Sequence, residues 1–246
     1  MTKIVGVVAS SHGDGLSKKL VNSALTGVSD AGGEALLIQL SDYVIPQWSD
    51  ESVGRPAELS AAFDDMDGIV ICAPVYYLDV NGLAKDFMDT VELRDASGKP
   101  GFGIAVAGGT GKGLTSALKS IYYWFFCKSI HGIDPLPVSR FNFEKALRQA
   151  RTTGQKIVEV TKSPPKTFRS LAEGIAHHQA LSFMNYEYVD EIGLLVLQLL
   201  DAPHGKGDEK ERKARGLYET GMGLIREGRK ADAVGPMVEA YQILYY

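Results

Sequence analysis

A chain of 246 residues, 45% hydrophobic and 23% charged, can bury one generous core, alone or with a sizeable extension. A formal net charge of -4, with no stretch that concentrates Lys and Arg, leaves no electrostatic footprint for nucleic acid. The start, Met1 to Ser11, is too weakly apolar for a signal peptide, and the later apolar run from Leu194 is interrupted by Gln198, so a cytoplasmic protein without a membrane partner is expected.

Ile4 to Ala9 is a β-rich run that predicts a first strand. Ser10-Ser11-His12-Gly13-Asp14-Gly15-Leu16-Ser17 follows at once, and Leu16, Leu20, Ala24 and Val28 then keep helical spacing until Gly32-Gly33. Ala35 to Leu40 reads as a second strand. The polar segment Ser41 to Arg55 reads as irregular, with Trp48 anchoring it to the core, and Pro56 suits the first turn of a helix through Met66. Ile69 to Ala73 is an unbroken apolar run, as expected of a parallel strand covered on both faces; it breaks at Pro74 and passes Tyr76 and Tyr77 before Gly82. Leu83, Phe87, Met88 and Val91 then fall at helical spacing. Phe102 to Ala107 predicts a fourth strand, Gly108 to Gly113 a loop, and Leu114, Leu118, Ile121 and Phe125 a helix. A short fifth strand near Leu136 to Val138 and a closing helix from Phe143 to Val160 complete the pattern.

Strands alternating with helices imply right-handed crossovers and a doubly wound parallel α/β sheet. Pro164-Pro165 marks a boundary, dividing the chain into residues 1–163 and a helical extension, residues 164–246. Within the extension, Leu171, Ile175, His178, Leu181, Met184, Tyr188, Ile192, Leu195 and Leu199 step by three and four, a charged break spans His204 to Arg215, and a last helical stretch runs through Ile243. Ala214 to Ala240 is similar to one tetratricopeptide unit, but one copy buries no face of its own, so this part reads as packing or oligomerisation structure. Cys72 and Cys127 both read as core thiols.

Three loops, Ser10 to Ser17, Pro74 to Gly82 and Gly108 to Gly113, leave carboxyl ends of strands and should converge where open α/β sheets bind ligands. The first leads into a helix N-terminus, which favours an anion such as phosphate; Ser10 and Ser17 offer hydroxyl donors and His12 a charge when protonated. The plainer role for Ser17 is to cap the helix. A dinucleotide fingerprint fails in both glycine loops, since Lys18 and Leu114 stand where its last glycine belongs. Gly111-Lys112 ends like a triphosphate-cradling loop, but Gly113 replaces the magnesium-binding hydroxyl and Val106 the first glycine, so a nucleotide triphosphatase is set aside. Glu173 and His177 lie one helical turn apart, but without a third ligand they read as an exposed face, and no metal is expected.

The first loop with its helix, together with Ile71-Cys72-Ala73-Pro74-Val75-Tyr76-Tyr77 and the run Gly82-Leu83-Ala84-Lys85-Asp86-Phe87-Met88-Asp89, resembles the NAD(P)H-dependent FMN reductase family of flavodoxin-like proteins. The second motif is the specific one: Pro-x-Tyr, a glycine and Lys-x-Phe-x-Asp recur there together. The resemblance covers roughly residues 1 to 162. It implies a flavodoxin-like five-stranded sheet of order 2-1-3-4-5 and an FMN cofactor. Ser10, His12, Leu16 and Ser17 would surround the phosphate, Pro74, Val75, Tyr76 and Tyr77 would line the isoalloxazine, and Gly108, Gly109 and Thr110 would meet its far edge. Two positions depart from the family pattern: His12 stands where Arg is usual, and Leu16 where Asn often precedes the last hydroxyl. Related iron-sulfur flavoproteins carry a cysteine cluster in the region of Ser41 to Arg55, where this chain has none, so no iron-sulfur centre is expected.

The resemblance further implies an oxidoreductase in which chemistry occurs at the flavin N5 rather than at a catalytic side chain. NAD(P)H would be the donor, and a quinone, flavin or metal ion the small-molecule acceptor. It also implies a homodimer or homotetramer. The rival readings are a flavodoxin-type electron carrier and a flavin-free scaffolding protein that keeps the fold.

Overall fold

The computed structural model describes residues 1–49, 51, 56–202 and 209–246. In chain order the elements are β1 (Lys3–Val8), α1 (Leu16–Asp30), β2 (Glu34–Gln39), α2 (Ala57–Ala61), β3 (Gly68–Tyr76), β4 (Asp79–Val80), α3 (Gly82–Thr90), β5 (Pro100–Ala107), α4 (Leu114–Cys127), β6 (His131–Ser139) and α5 (Phe143–Thr161). Four further helices follow: α6 (Leu171–Ala180), α7 (Tyr188–Asp201), α8 (Glu209–Arg226) and α9 (Lys230–Tyr245). The main sheet is parallel in the order β2-β1-β3-β5-β6, the five-strand flavodoxin-like order expected, with two-residue β4 turned back antiparallel on the end of β3.

Alternation along the central strands splits the core in two. Ile4, Val8, Val70 and Cys72 face α1 and α5; Val5, Val7, Ile69 and Ile71 face a cluster that includes Phe87 of α3 and Leu118 and Phe125 of α4. Helices α1 and α5 cross closely because Gly27 and Gly154 lie at the crossing. A Cβ on either would stand 1.9 Å from the facing backbone oxygen, of Arg151 and of Ala24 respectively.

Several elements differ from the sequence expectation. Strand β6 runs nine residues, although Pro135 and Pro137 interrupt its donors; it is an edge strand, where missing N–H groups cost little. Helix α2 ends at Ala61 instead of reaching Met66, as the chain turns to bury Phe63 and Met66 with Asp65 at φ 61°. Trp48 is 59% exposed and is not part of the described core; Tyr43 and Ile45 pack on it instead. Cys127 is exposed on the outer face of α4, while Cys72 is buried in β3. Residues 209–215 of the expected charged break already belong to α8, and the rest of that break, with residues 50 and 52–55, lies outside the described residues.

The extension shares the larger core: Met184, Val189, Leu195, Val196, Ala214, Met237 and Tyr241 belong to the same apolar cluster as Val5 and Ile69. Helix α6 is fastened near the amino-terminal edge of β6. His177 Nε2 lies 2.8 Å from the Gly132 carbonyl oxygen, its ring is 4.0 Å from that of His131, and Phe168 stacks on His131. Burial lowers the His131 imidazole to about 4, and the neighbouring His177 and Lys166 add to the effect. Glu173, the expected partner of His177 on an exposed face, accepts the Arg169 N–H at 2.8 Å and so braces the start of α6. Among the described residues no helix is long and apolar enough to cross a membrane.

Candidate functional site

Because β1, β3 and β5 are neighbours in a parallel sheet, the three loops leave it side by side at one edge. The first loop is held from below. Ser10 is 4% exposed and its Oγ accepts the His12 N–H at 3.2 Å, while Gln39, from the end of β2, donates Nε2 to the Ser10 carbonyl at 2.6 Å. His12 and Gly13 are exposed, and a Cβ built on Gly13 would meet nothing within 4 Å.

Gly15, not Ser17, is the N-cap of α1, and no side chain caps the helix. The first-turn N–H groups therefore face outward without an internal acceptor. No acidic residue sits in that turn; Lys18 does, 3.8 Å from the fully exposed carboxylate of Asp14. Ser17 is 2% exposed and lies against β3, its hydroxyl bonded to the Cys72 thiol, which burial pushes up to about 12. Leu16 packs its side chain onto the α1/α5 core, so only its backbone N–H is available to a ligand.

The second loop is a two-residue hairpin between β3 and β4, with Tyr76 paired to Asp79. Tyr77 and Leu78 have φ values of 51° and 69°, the left-handed pair that such a turn requires but that side chains resist, at about 1–2 kcal/mol per residue. Tyr76 is 46% exposed and Tyr77 103%, so neither is cover for the following helix; Val75 does pack against the core. Asn81 caps α3 by accepting the Ala84 N–H at 3.3 Å.

The third loop exposes Gly108, Gly109 and Thr110, with open space where side chains of the two glycines would be. Its end touches the second loop. A Cβ on Gly113 would lie 2.5 Å from Leu78 Cα and 2.7 Å from Val75 Cγ1, and Gly113 has φ 93°, so this residue must be glycine twice over.

Sequence reasoning missed the group that fixes this loop. Glu191 of α7 is fully buried, and its carboxylate accepts the Gly113 N–H at 2.7 Å, the Thr115 N–H at 2.8 Å and the Thr115 hydroxyl at 2.6 Å. A carboxylate at a helix N-terminus meets both free N–H groups and the positive end of the dipole, which offsets its burial. Gln198 joins the same edge, its Oε1 accepting the Ser139 hydroxyl at 2.6 Å, and the Tyr241 hydroxyl donates to the Thr110 carbonyl at 2.8 Å. A signal was present: Glu191 and Gln198 lie one turn either side of Leu195, polar residues on an apolar stripe. Gln39, at the end of a strand pattern, carried none.

A model of the family described as NADPH-dependent FMN reductase matches residues 2–134. An iron-sulfur flavoprotein of Methanocaldococcus jannaschii is 24% identical over 191 residues, covering 65% of this chain and 97% of that protein. One of Archaeoglobus fulgidus is 28% identical over 124 residues, 45% of this chain and 56% of that protein. Among solved structures, a flavone reductase superposes with a TM-score of 0.55 at 19% identity over 68% of this chain and 66% of its own. A flavodoxin from the domain Archaea superposes at 0.53 and 18% identity over 66% and 100%. At these identities the structures share the fold. An iron-sulfur cluster takes four ligands, usually thiolates, whereas this chain has two cysteines, one sealed in β3 and one on the surface of α4.

Proposed function

Since the chain belongs to the NADPH-dependent FMN reductase family, we propose that it is a flavin-dependent oxidoreductase that takes hydride from NAD(P)H and passes electrons to a small-molecule acceptor. The observation that carries this reading is the uncapped N-terminus of α1, with no acidic residue in its first turn, beside an exposed tyrosine hairpin. The donor set fits FMN. The α1 N–H groups and the buried hydroxyl of Ser10 suit a phosphate, Tyr76 and Tyr77 suit a flat ring, and Gly108 and Gly109 leave room for its edge. His12, exposed in the same loop as Ser10, would add an imidazole donor to that phosphate.

When bound, FMN supplies a ring whose N5 accepts hydride. The chain contributes position and electrostatics. Gly113, pinned by Glu191, holds the third loop against Val75 and Leu78, and N–H groups of the exposed residues Gly108 to Thr110 would stabilise negative charge growing on the ring edge. Loading with FMN followed by anaerobic addition of NADPH tests the proposal. Bleaching of the flavin absorbance is expected; a loaded protein that stays oxidised with NADPH and NADH is a carrier, and a protein that never takes up FMN is a scaffold.

A further inference from the structure

A concavity lies between the start of α5 and the last turns of α7 and α9. It encloses about 780 Å³ and is lined by Arg140, Phe141, Phe143, Arg148 and Tyr245 among others. This volume suits a nucleotide-sized ligand. Its cations are not balanced. Lys145 is paired with Asp201 at 3.0 Å, and Glu144 also faces the groove, but Arg140 and Arg148 have no carboxylate partner among the described residues. Arg140 instead lies 5.0 Å from the Phe141 ring centre and 5.2 Å from that of Tyr245, which holds a charged guanidinium beside aromatic walls.

The groove connects to the flavin-facing edge through a short series of contacts. Tyr245 stacks on Tyr241 at 5.3 Å, the Tyr241 hydroxyl bonds the Thr110 carbonyl, and Lys112 Nζ sits 5.3 Å above the Tyr241 ring. Lys112 too has no carboxylate partner among the described residues. Unpaired cations thus run from the third loop into an aromatic groove.

We infer that this groove receives the adenosine-phosphate end of the reduced pyridine dinucleotide, the adenine against Phe141 and Tyr245 and the phosphates on Lys112, Arg140 and Arg148. The inference rests on the proposed hydride donor and gives the α7–α9 extension a part in choosing it. The same chemistry would suit a free adenine nucleotide, and the experiment separates the two.

Adenosine 2′,5′-bisphosphate is titrated calorimetrically into the full chain, and into Arg148→Glu and Arg140→Gln. Arg148 is exposed, so its replacement disturbs no packing; Arg140→Gln is the second variant. Binding to the unaltered chain and about tenfold weaker binding to each variant are expected from losing one charge-assisted contact. In parallel, the preference for NADPH over reduced nicotinamide mononucleotide, which lacks the adenosine phosphate, should narrow about tenfold in each variant. No binding to the unaltered chain, or equal binding to all three proteins, overturns the inference. Weaker bisphosphate binding with an unmoved donor preference places a free nucleotide in the groove and overturns the assignment to the donor. If neither donor reduces the protein, the proposed oxidoreductase fails, and calorimetry still decides the groove.

Discussion

Helices α1 and α4 begin at the same edge of the sheet, each after a glycine-bearing loop, and they handle their free N–H groups in opposite ways. The N-terminus of α1 has a glycine cap and no side-chain acceptor; that of α4 is closed by Glu191, brought in from a helix 76 residues away from Thr115. The difference teaches that an anion-attracting helix end becomes a site only where the chain declines to supply its own anion. Of two equivalent positions in the topology, one is left open and the other is used to dock the extension.

Removing the internal anion should break this contrast most strongly. Glu191→Ala leaves two buried N–H groups and a hydroxyl without an acceptor, and should lower stability by about 3 kcal/mol in urea denaturation. Glu191→Gln, which keeps one acceptor oxygen, should lose roughly half as much. A loss under about 1 kcal/mol in the alanine variant would mean that the α4 end is satisfied by other means.

Acid should loosen the extension from its other attachment. Burial holds the His131 imidazole at about 4 in the folded chain, below its ordinary value, so the neutral His131 ring packed against His177 contributes stability above pH ~6.5 that is lost as pH falls through 4. The melting temperature should fall across that window, and His131→Phe should flatten the fall. An unchanged pH profile in the variant would locate the acid sensitivity elsewhere.

The smallest effect concerns the hairpin beside the open end. Tyr77→Gly relieves a left-handed residue whose side chain touches solvent on all sides, and should stabilise the chain by about 1 kcal/mol while weakening FMN binding. Stabilisation with full FMN affinity would show that the ring does not need Tyr77.

Much of this organisation was legible in the sequence because it is local. The apolar runs of β1, β3 and β5 mark central strands, their loops contain the glycines and tyrosines, strands alternating with helices point to a doubly wound parallel sheet, and the strand order is the one the family resemblance implies. What was not legible depends on distant partners. Glu191 has meaning only when α7 meets Gly113 and Thr115, and Gln39 only when β2 ends beside Ser10. The full length of β6 required knowing that it is an edge, and the exposure of Trp48 and Cys127 required knowing which face of a loop or helix meets solvent. Ser17 shows the same limit: its position in the motif suggests a cap, but the adjoining strand claims its hydroxyl.

The most direct test of the open α1 end is a fluorescence titration of FMN into the unaltered chain and into Gly13→Asp. Ser17→Asp is the poorer probe, since it would bury a carboxylate against Cys72. Gly13 is exposed with open space around its Cβ, so aspartate adds charge beside the phosphate position with little effect on the fold. FMN should bind the unaltered chain and bind Gly13→Asp at least about tenfold more weakly, with the melting temperature of the flavin-free protein unchanged. Equal affinity in the two proteins, or no FMN binding to either, would contradict the account.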